Sequence, residues 1–238
     1  MTTDAQGGGS GIPAGLIDAV VHLVQTGPVP LGGYTLAEIE AVSGVVRFPE
    51  EEPSSEVIAE AVRSLAARNL ITTAPGSEEI QVRGDLGIAL AFQQRSRVVL
   101  DARATGTEPD RPWRFVLMPQ PEGITLEILI DALGIHFFAL RTTEEAFSHL
   151  WGRLPSGGRG PTDADADKLL SLSPKSALVS VSHYDDAGTR TTHDVVLAAG
   201  GDTCHVFLRD ADDPSRLVAQ GFDDEEWRGL VTRLTTTG

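Results

Sequence analysis

Two residue types are nearly missing from this 238-residue chain: it has one cysteine, Cys204, and two lysines, Lys168 and Lys175. A single cysteine excludes an internal disulfide and any multi-cysteine metal centre. It stands in "GDTCHVFL", which alternates like a strand, so Cys204 reads as a small core side chain rather than a reactive thiol. Basic charge is scarce too, with 19 Lys and Arg against 34 Asp and Glu and a formal net charge of −15. Such a surface repels phosphate backbones and anionic headgroups unless a local basic patch exists, and none is found, so neither nucleic acid nor membrane is an expected partner. No run approaches the roughly 18 apolar residues of a membrane helix. The opening "MTTDAQGGGSG" has neither a basic n-region nor an apolar h-region, so residues 1–12 read as a flexible tail and the expected location is cytoplasmic.

Motifs that carry chemistry are also missing. "SGGRGP" lacks the lysine and hydroxyl residue that a phosphate loop needs, and no strand is followed by Gly-x-Gly-x-x-Gly. No Gly-x-Ser-x-Gly elbow exists to expose a serine. Six histidines invite a metal hypothesis. A hairpin turning at Ala187-Gly188 would pair position 183 with 192, placing His183 and His193 on opposite faces of a sheet, unable to share an ion. His22, His136 and His149 lie singly in amphipathic segments, as structural histidines do. Acid pairs in "DDEE" and "EEEP" stand in loops and first helical turns, where they complement the helix dipole. The expectation is no catalytic residue, no metal ligand, no cofactor and no enzyme.

What the chain does have is a change of period. Apolar residues at helical spacing mark 14–26, 35–44, 55–71 and a stretch around 85–94, with Ser54 or Ser55 available to cap the third. From Ser96 the period becomes two: "RVVLDAR", "WRFVLMP", "GITLEILI" and "IHFFAL" read as strands, and a helix follows at 143–153. After the Gly- and Pro-rich linker "LPSGGRGPTDADAD", the strands "ALVSVSHY", "THDVVLAA", "TCHVFLRD" and "RLVAQG" precede a last helix. The two helices even open alike, Thr142 with Glu145 and Asp223 with Glu226, as capping boxes do. An offset of 80 lays 96–154 on 176–234 without a gap, with nine identities. Identity that low rests on its apolar pattern: Phe115 on Val195, Leu126 on Val206, Ile128 on Leu208, Phe147 on Trp227. The expectation is a single α+β domain over 13–238 containing an internal repeat, about 53–155 and 162–236. Its two halves would be related by a pseudo-twofold axis, each a mainly antiparallel sheet covered by helices.

The segment "AEAVRSLAARNLITTAPGSEEIQV" also has the helix-then-hairpin order of a winged helix. Residues 54–95 carry five acidic and four basic side chains, too few cations for phosphate contacts, which favours a packing or protein-contact unit. A winged-helix, transcription-associated regulator is the alternative function.

The succession of "YTLAEIEAVSGVVRFP", "SLAARNLI", a hairpin-rich sheet, "GIHFFALRTTEEAFSHLWGRLP" and a second sheet plus helix resembles the EspG family over residues 28–236. Its soft patterns are T-x-x-E-[IL], here Thr35–Ile39, and L-A-A-R-x-L-I, here Leu65–Ile71. That resemblance implies a cytoplasmic, non-enzymatic chaperone of type VII (ESX) secretion in actinobacteria. It implies a pseudo-twofold α+β fold and a client of secreted PE–PPE heterodimer type, whose apolar tip is covered. The family uses the loop between the first two strands of the sheet for client contact, here "ATGTEPDRPW" (104–113). Pro109, Asp110, Arg111 and Trp113 are therefore the candidate partner-binding residues. The counterpart "YDDAGTRTTH" (184–193) has little apolar surface. The plainer reading of Trp113 is a strand start that packs inward.

Overall fold

A computed structural model describes residues 14–43, 53–73, 80–106, 111–185 and 187–236. In chain order the elements are α1 (Ala14–Val24), β1 (Val29–Thr35), α2 (Leu36–Ser43), α3 (Ser55–Ala67), β2 (Ile71–Thr73), β3 (Ile80–Val82), α4 (Gly84–Arg95), β4 (Val98–Ala104), β5 (Arg114–Pro119), β6 (Ile124–Ile130) and β7 (Ile135–Thr142). They continue with α5 (Thr143–Trp151), β8 (Gly158–Arg159), α6 (Ala166–Leu172), β9 (Ser176–Tyr184), β10 (Arg190–Gly200), β11 (Thr203–Arg209), β12 (Leu217–Gln220) and α7 (Asp224–Thr236). The fold is mixed α+β, as the change of period implies.

One sheet runs through the described residues in the order β1-β7-β6-β5-β4-β9-β10-β11-β12, with β8 lying parallel beside β11 and all other neighbours antiparallel. β4 and β9 meet at its centre, Leu100 opposite Val181 and Asp101 opposite Ser180. From that seam β5–β7 run outward on one side and β10–β12 on the other, each set consecutive hairpins. Strand alternation sorts side chains onto two faces. On one face Val116, Met118, Leu126, Ile128, Phe138 and Leu140 pack against α1, α3 and α4 through Val20, Val24, Leu65, Leu86 and Leu90. On the other, Leu100, Phe115, Leu117, Val179, Val195, Leu197 and Val206 pack beneath α5 and α7 through Ala146, Leu150, Trp227 and Val231. α6 covers Ala198, Phe207 and Ala219.

The patterns that carry the family resemblance meet in one joint. Thr35 and Glu38 form a reciprocal cap on α2: Glu38 N–H donates to Thr35 Oγ1 at 3.2 Å, and Thr35 N–H to Glu38 Oε2 at 3.0 Å. The other carboxylate oxygen accepts from Ser64 Oγ (2.7 Å) and from Arg68 (2.9 Å) on α3. Burial alone would raise the Glu38 carboxyl, but these hydrogen bonds and the Arg68 charge hold it below the usual range. The helix then stops at Asn69, which takes φ +58°, a left-handed value that asparagine tolerates. These positions thus build the N-terminal layer.

Three expectations require correction. The unbroken 80-residue offset does not hold as a structural register. It lays Leu126 on Val206 and Ile128 on Leu208, yet the first of each pair faces the α1–α4 layer and the second the α5–α7 layer. The helix caps Thr142–Glu145 and Asp223–Glu226 lie 81 apart, so buried Ala146 and Leu150 correspond to Trp227 and Val231. Phe147 and Trp227 are therefore not equivalents. Phe115 and Leu117 of β5 do keep the face of Val195 and Leu197 of β10, but the connections that follow, 120–123 and 201–202, differ in length, and a one-residue slip reverses the face. Second, His183 pairs with Thr191 rather than residue 192, and His193 with Val181, so both histidines lie on the same face. Third, β1 is a strand that the sequence pattern does not announce. Pro30, Gly32 and Gly33 dilute it, and a register shift interrupts its pairing with β7 between Pro30 and Gly32. Proline and a bulge are tolerated because β1 is an edge.

Candidate partner-binding surface

Of the four candidate residues, Pro109 and Asp110 lie outside the described residues, Arg111 is exposed and Trp113 is half-buried. Trp113 extends β5 by one residue. Its N–H donates to Ile130 O at 3.1 Å, and its carbonyl accepts from Ala104 N–H at 2.8 Å. By alternation it shares the face of Phe115, Leu129 and Phe137. Its indole N–H donates to Asp131 O at 3.0 Å. The strand-start reading is thus right for the backbone, while the ring remains partly open to solvent.

Asp131 belongs to the turn between β6 and β7, and the turn is written locally as Asp-Ala-Leu-Gly. The Asp131 carboxylate accepts from the N–H groups of Leu133 and Ile135, both at 2.9 Å. Gly134 takes φ +74°, and its N–H donates to Asp131 O, the carbonyl that also holds the Trp113 indole. A turn closed this way carries Leu133 outward: it is 85% exposed, the highest value among the described large apolar side chains. On the adjoining strand Phe137 is 45% exposed. Its ring lies across Gly33 of β1, where an added Cβ would come within 3.1 Å of it. Trp113, Leu133 and Phe137, with Leu129 and Ile135 partly open between them, make an apolar patch at one end of the sheet.

Sequence reasoning singled out Trp113 and Arg111 but missed Leu133 and Phe137. A leucine inside a D-x-x-G turn is the one signal that marks Leu133. For Phe137 no local signal exists, because "IHFFAL" is apolar on both faces.

Elsewhere, Glu127, Cys204 and His183 are tied into the fold. Glu127 on β6 is buried; its carboxylate accepts from Arg141 Nε at 2.7 Å and lies 2.7 Å from His149 Nδ1 on α5. Burial pushes this carboxyl up, but the hydrogen bonds from His149 and Arg141 and the charge of both outweigh that and hold it below the ordinary range. Cys204 is buried, and desolvation, aided by Asp224, pushes its thiol up to about 11, which leaves it unreactive. His183 lies 2.6 Å from Leu234 O at the end of α7. Among the described residues no group of three or more His, Cys, Asp or Glu is placed to hold a metal, and no helix is long and apolar enough to cross a membrane.

No family model and no curated protein matches the chain.

Proposed function

We propose that this protein is a non-enzymatic cytoplasmic chaperone or adaptor that covers an apolar surface on a helical secretion client of the PE–PPE type. The observation that carries the reading is the patch of Trp113, Leu133 and Phe137. An aromatic anchor fixed by a backbone hydrogen bond and flanked by exposed apolar side chains has the anatomy of a binding hot spot. Arg111 at its rim suits a polar surround. The resemblance to the EspG family points to the same loop by a separate route. We further read the two outward-running strand sets and their helices as halves related by a pseudo-twofold axis at the β4–β9 seam, diverged in register and in surface.

The test is co-expression with the helical proteins encoded beside its gene. A stoichiometric complex that survives gel filtration is expected from the native chain and lost from Leu133→Asp and Phe137→Ser variants of unchanged melting temperature. A complex indifferent to both variants removes the patch from the proposal.

The regulator reading has one observation in its favour: α2, α3 and the β2–β3 hairpin follow one another as in a winged helix. Against it, the exposed face of α3 carries Glu56 and Glu60, and Arg63 is paired to Glu60. Duplex DNA affinity that falls steeply with salt would favour the regulator.

A further inference from the structure

The fold gathers three cations from distant parts of the chain, which is why no basic run shows along the sequence. Lys175, one of only two lysines, directly precedes β9, Arg153 follows α5, and Arg111 precedes β5. Lys175 is pinned through its backbone: its carbonyl accepts from Ala199 N–H at 2.9 Å and from Ser173 Oγ at 2.6 Å. On the side of the β4–β5 loop, Gly106 takes φ +68° and presses against the same segment. An added Cβ there would come within 2.0 Å of Pro174 O and 3.2 Å of Lys175 Cα. The Ala199 bond continues the β9–β10 pairing by one residue, so alternation turns Lys175 to the face of Ala177 and Val179. Arg153 is fixed on that same face. Its N–H donates to Leu150 O at 2.9 Å, and the next residue, Leu154, is buried in one cluster with Ala177. Lys175 and Arg153 are half-buried, and Arg111 is exposed.

Arginines elsewhere meet carboxylates, as Arg68 does Glu38, Arg95 Glu122 and Arg141 Glu127. With 34 acidic residues in the chain, a counter-ion is the ordinary outcome. Lys175 and Arg153 make no ion pair with the described residues. Instead burial, and then the charges of Arg153 and Arg111, hold the Lys175 ammonium below the ordinary lysine range. Like charges brought together and partly desolvated carry a cost that an arriving anion removes. We infer that this end of the sheet binds a compact phosphate-type oxyanion, held by the Lys175 ammonium and the Arg153 guanidinium with Arg111 at its rim. Lysine meets such an anion as a point charge and arginine through paired N–H groups. A dianion offsets two cations where a halide offsets one. Repulsion from the acidic remainder of the surface is screened beyond about 8 Å at physiological ionic strength. The site adjoins the Trp113 patch through Arg111 and does not depend on the chaperone reading.

Isothermal titration of the full chain with inorganic phosphate, at about pH 8 and a fixed ionic strength of about 0.15 M in sodium chloride, tests it. Saturable one-to-one binding is expected, weakened about tenfold in Lys175→Met and in Arg153→Met. In chloride alone Lys175→Met should melt no lower than the native chain, because it relieves like-charge repulsion and breaks no ion pair. Phenyl phosphate separates the two sources of the group. Binding as tight as that of phosphate assigns the site to a phosphoryl group on a larger molecule, and weaker binding assigns it to the free ion. No saturable binding of phosphate above the chloride background overturns the proposal. So does full phosphate affinity in Lys175→Met together with a lower melting temperature in chloride, the signature of a purely structural lysine.

Discussion

The strand sets on either side of the β4–β9 seam share an element order and differ in what they bury and what they show. The first set holds α5 through a charged link: Glu127 on β6 reaches His149 on the helix and Arg141 on the next strand. In the second set the facing position on β11 is Val206, buried and apolar, and α7 is anchored by Trp227. The first set ends its β6–β7 turn with an exposed leucine. The second joins β11 to β12 through Asp210, Asp212, Asp213 and Arg216, a loop closed on its own charges, with Asp210 paired to Arg216. The lesson is that one topology accommodates either polar or apolar attachment of its helix. Among the described residues, only the first of the two strand sets places its most exposed apolar side chains at the same end of the sheet as a fixed tryptophan.

The largest effect expected from breaking this contrast is at Trp227. Its helix position corresponds to Ala146 in the first set, and it is fully buried against Trp151 in an edge-to-face pair. Trp227→Ala should cost about 3–5 kcal/mol, read as a fall in the denaturation midpoint. A cost under about 1 kcal/mol would show that α7 is held by something else.

Glu127 comes next. Glu127→Ala strands Arg141 and His149 over a buried site and should cost about 3 kcal/mol, whereas Val206→Ala should cost about half that. The pH dependence has a definite sign. Glu127 has a folded pKa below its unfolded one, so its stabilisation is complete above the ordinary glutamate range, about 4.3. It fades as pH falls through that range toward the lower folded value. Glu127→Gln should flatten the acid limb of the stability curve. An unchanged limb in that variant would assign acid sensitivity to other carboxylates.

Trp113→Ala should cost about 1–2 kcal/mol, for a half-buried ring and one hydrogen bond. Leu133→Ser should change stability by less than about 0.5 kcal/mol while abolishing client capture. Arg111→Ala should do least, slowing association and steepening nothing else, as a rim charge does. Equal effects of Leu133→Ser and of Leu172→Ser, an exposed leucine on α6, would erase the distinction between the two surfaces.

By itself the sequence determined the kinds of element and their order from Ser96 onward, apart from β8 and α6, which fall at the stretch read as a linker. Period-two alternation, the D-x-x-G turn, and caps at Ser54 and Thr142 are written within a few residues and act over a few residues. It also determined that Cys204 is a core residue. The tertiary structure alone decided which face each strand turns to which layer. That choice depends on the lengths of the hairpins, so an offset of 80 can match an apolar pattern while Leu126 and Val206 lie on opposite sides. It decided too that Glu127, an acid in an apolar run, is buried, because His149 and Arg141 are 22 and 14 residues away. And it decided that Phe137 stays partly exposed: its neighbour across the edge is Gly33, and a glycine has no side chain with which to cover it.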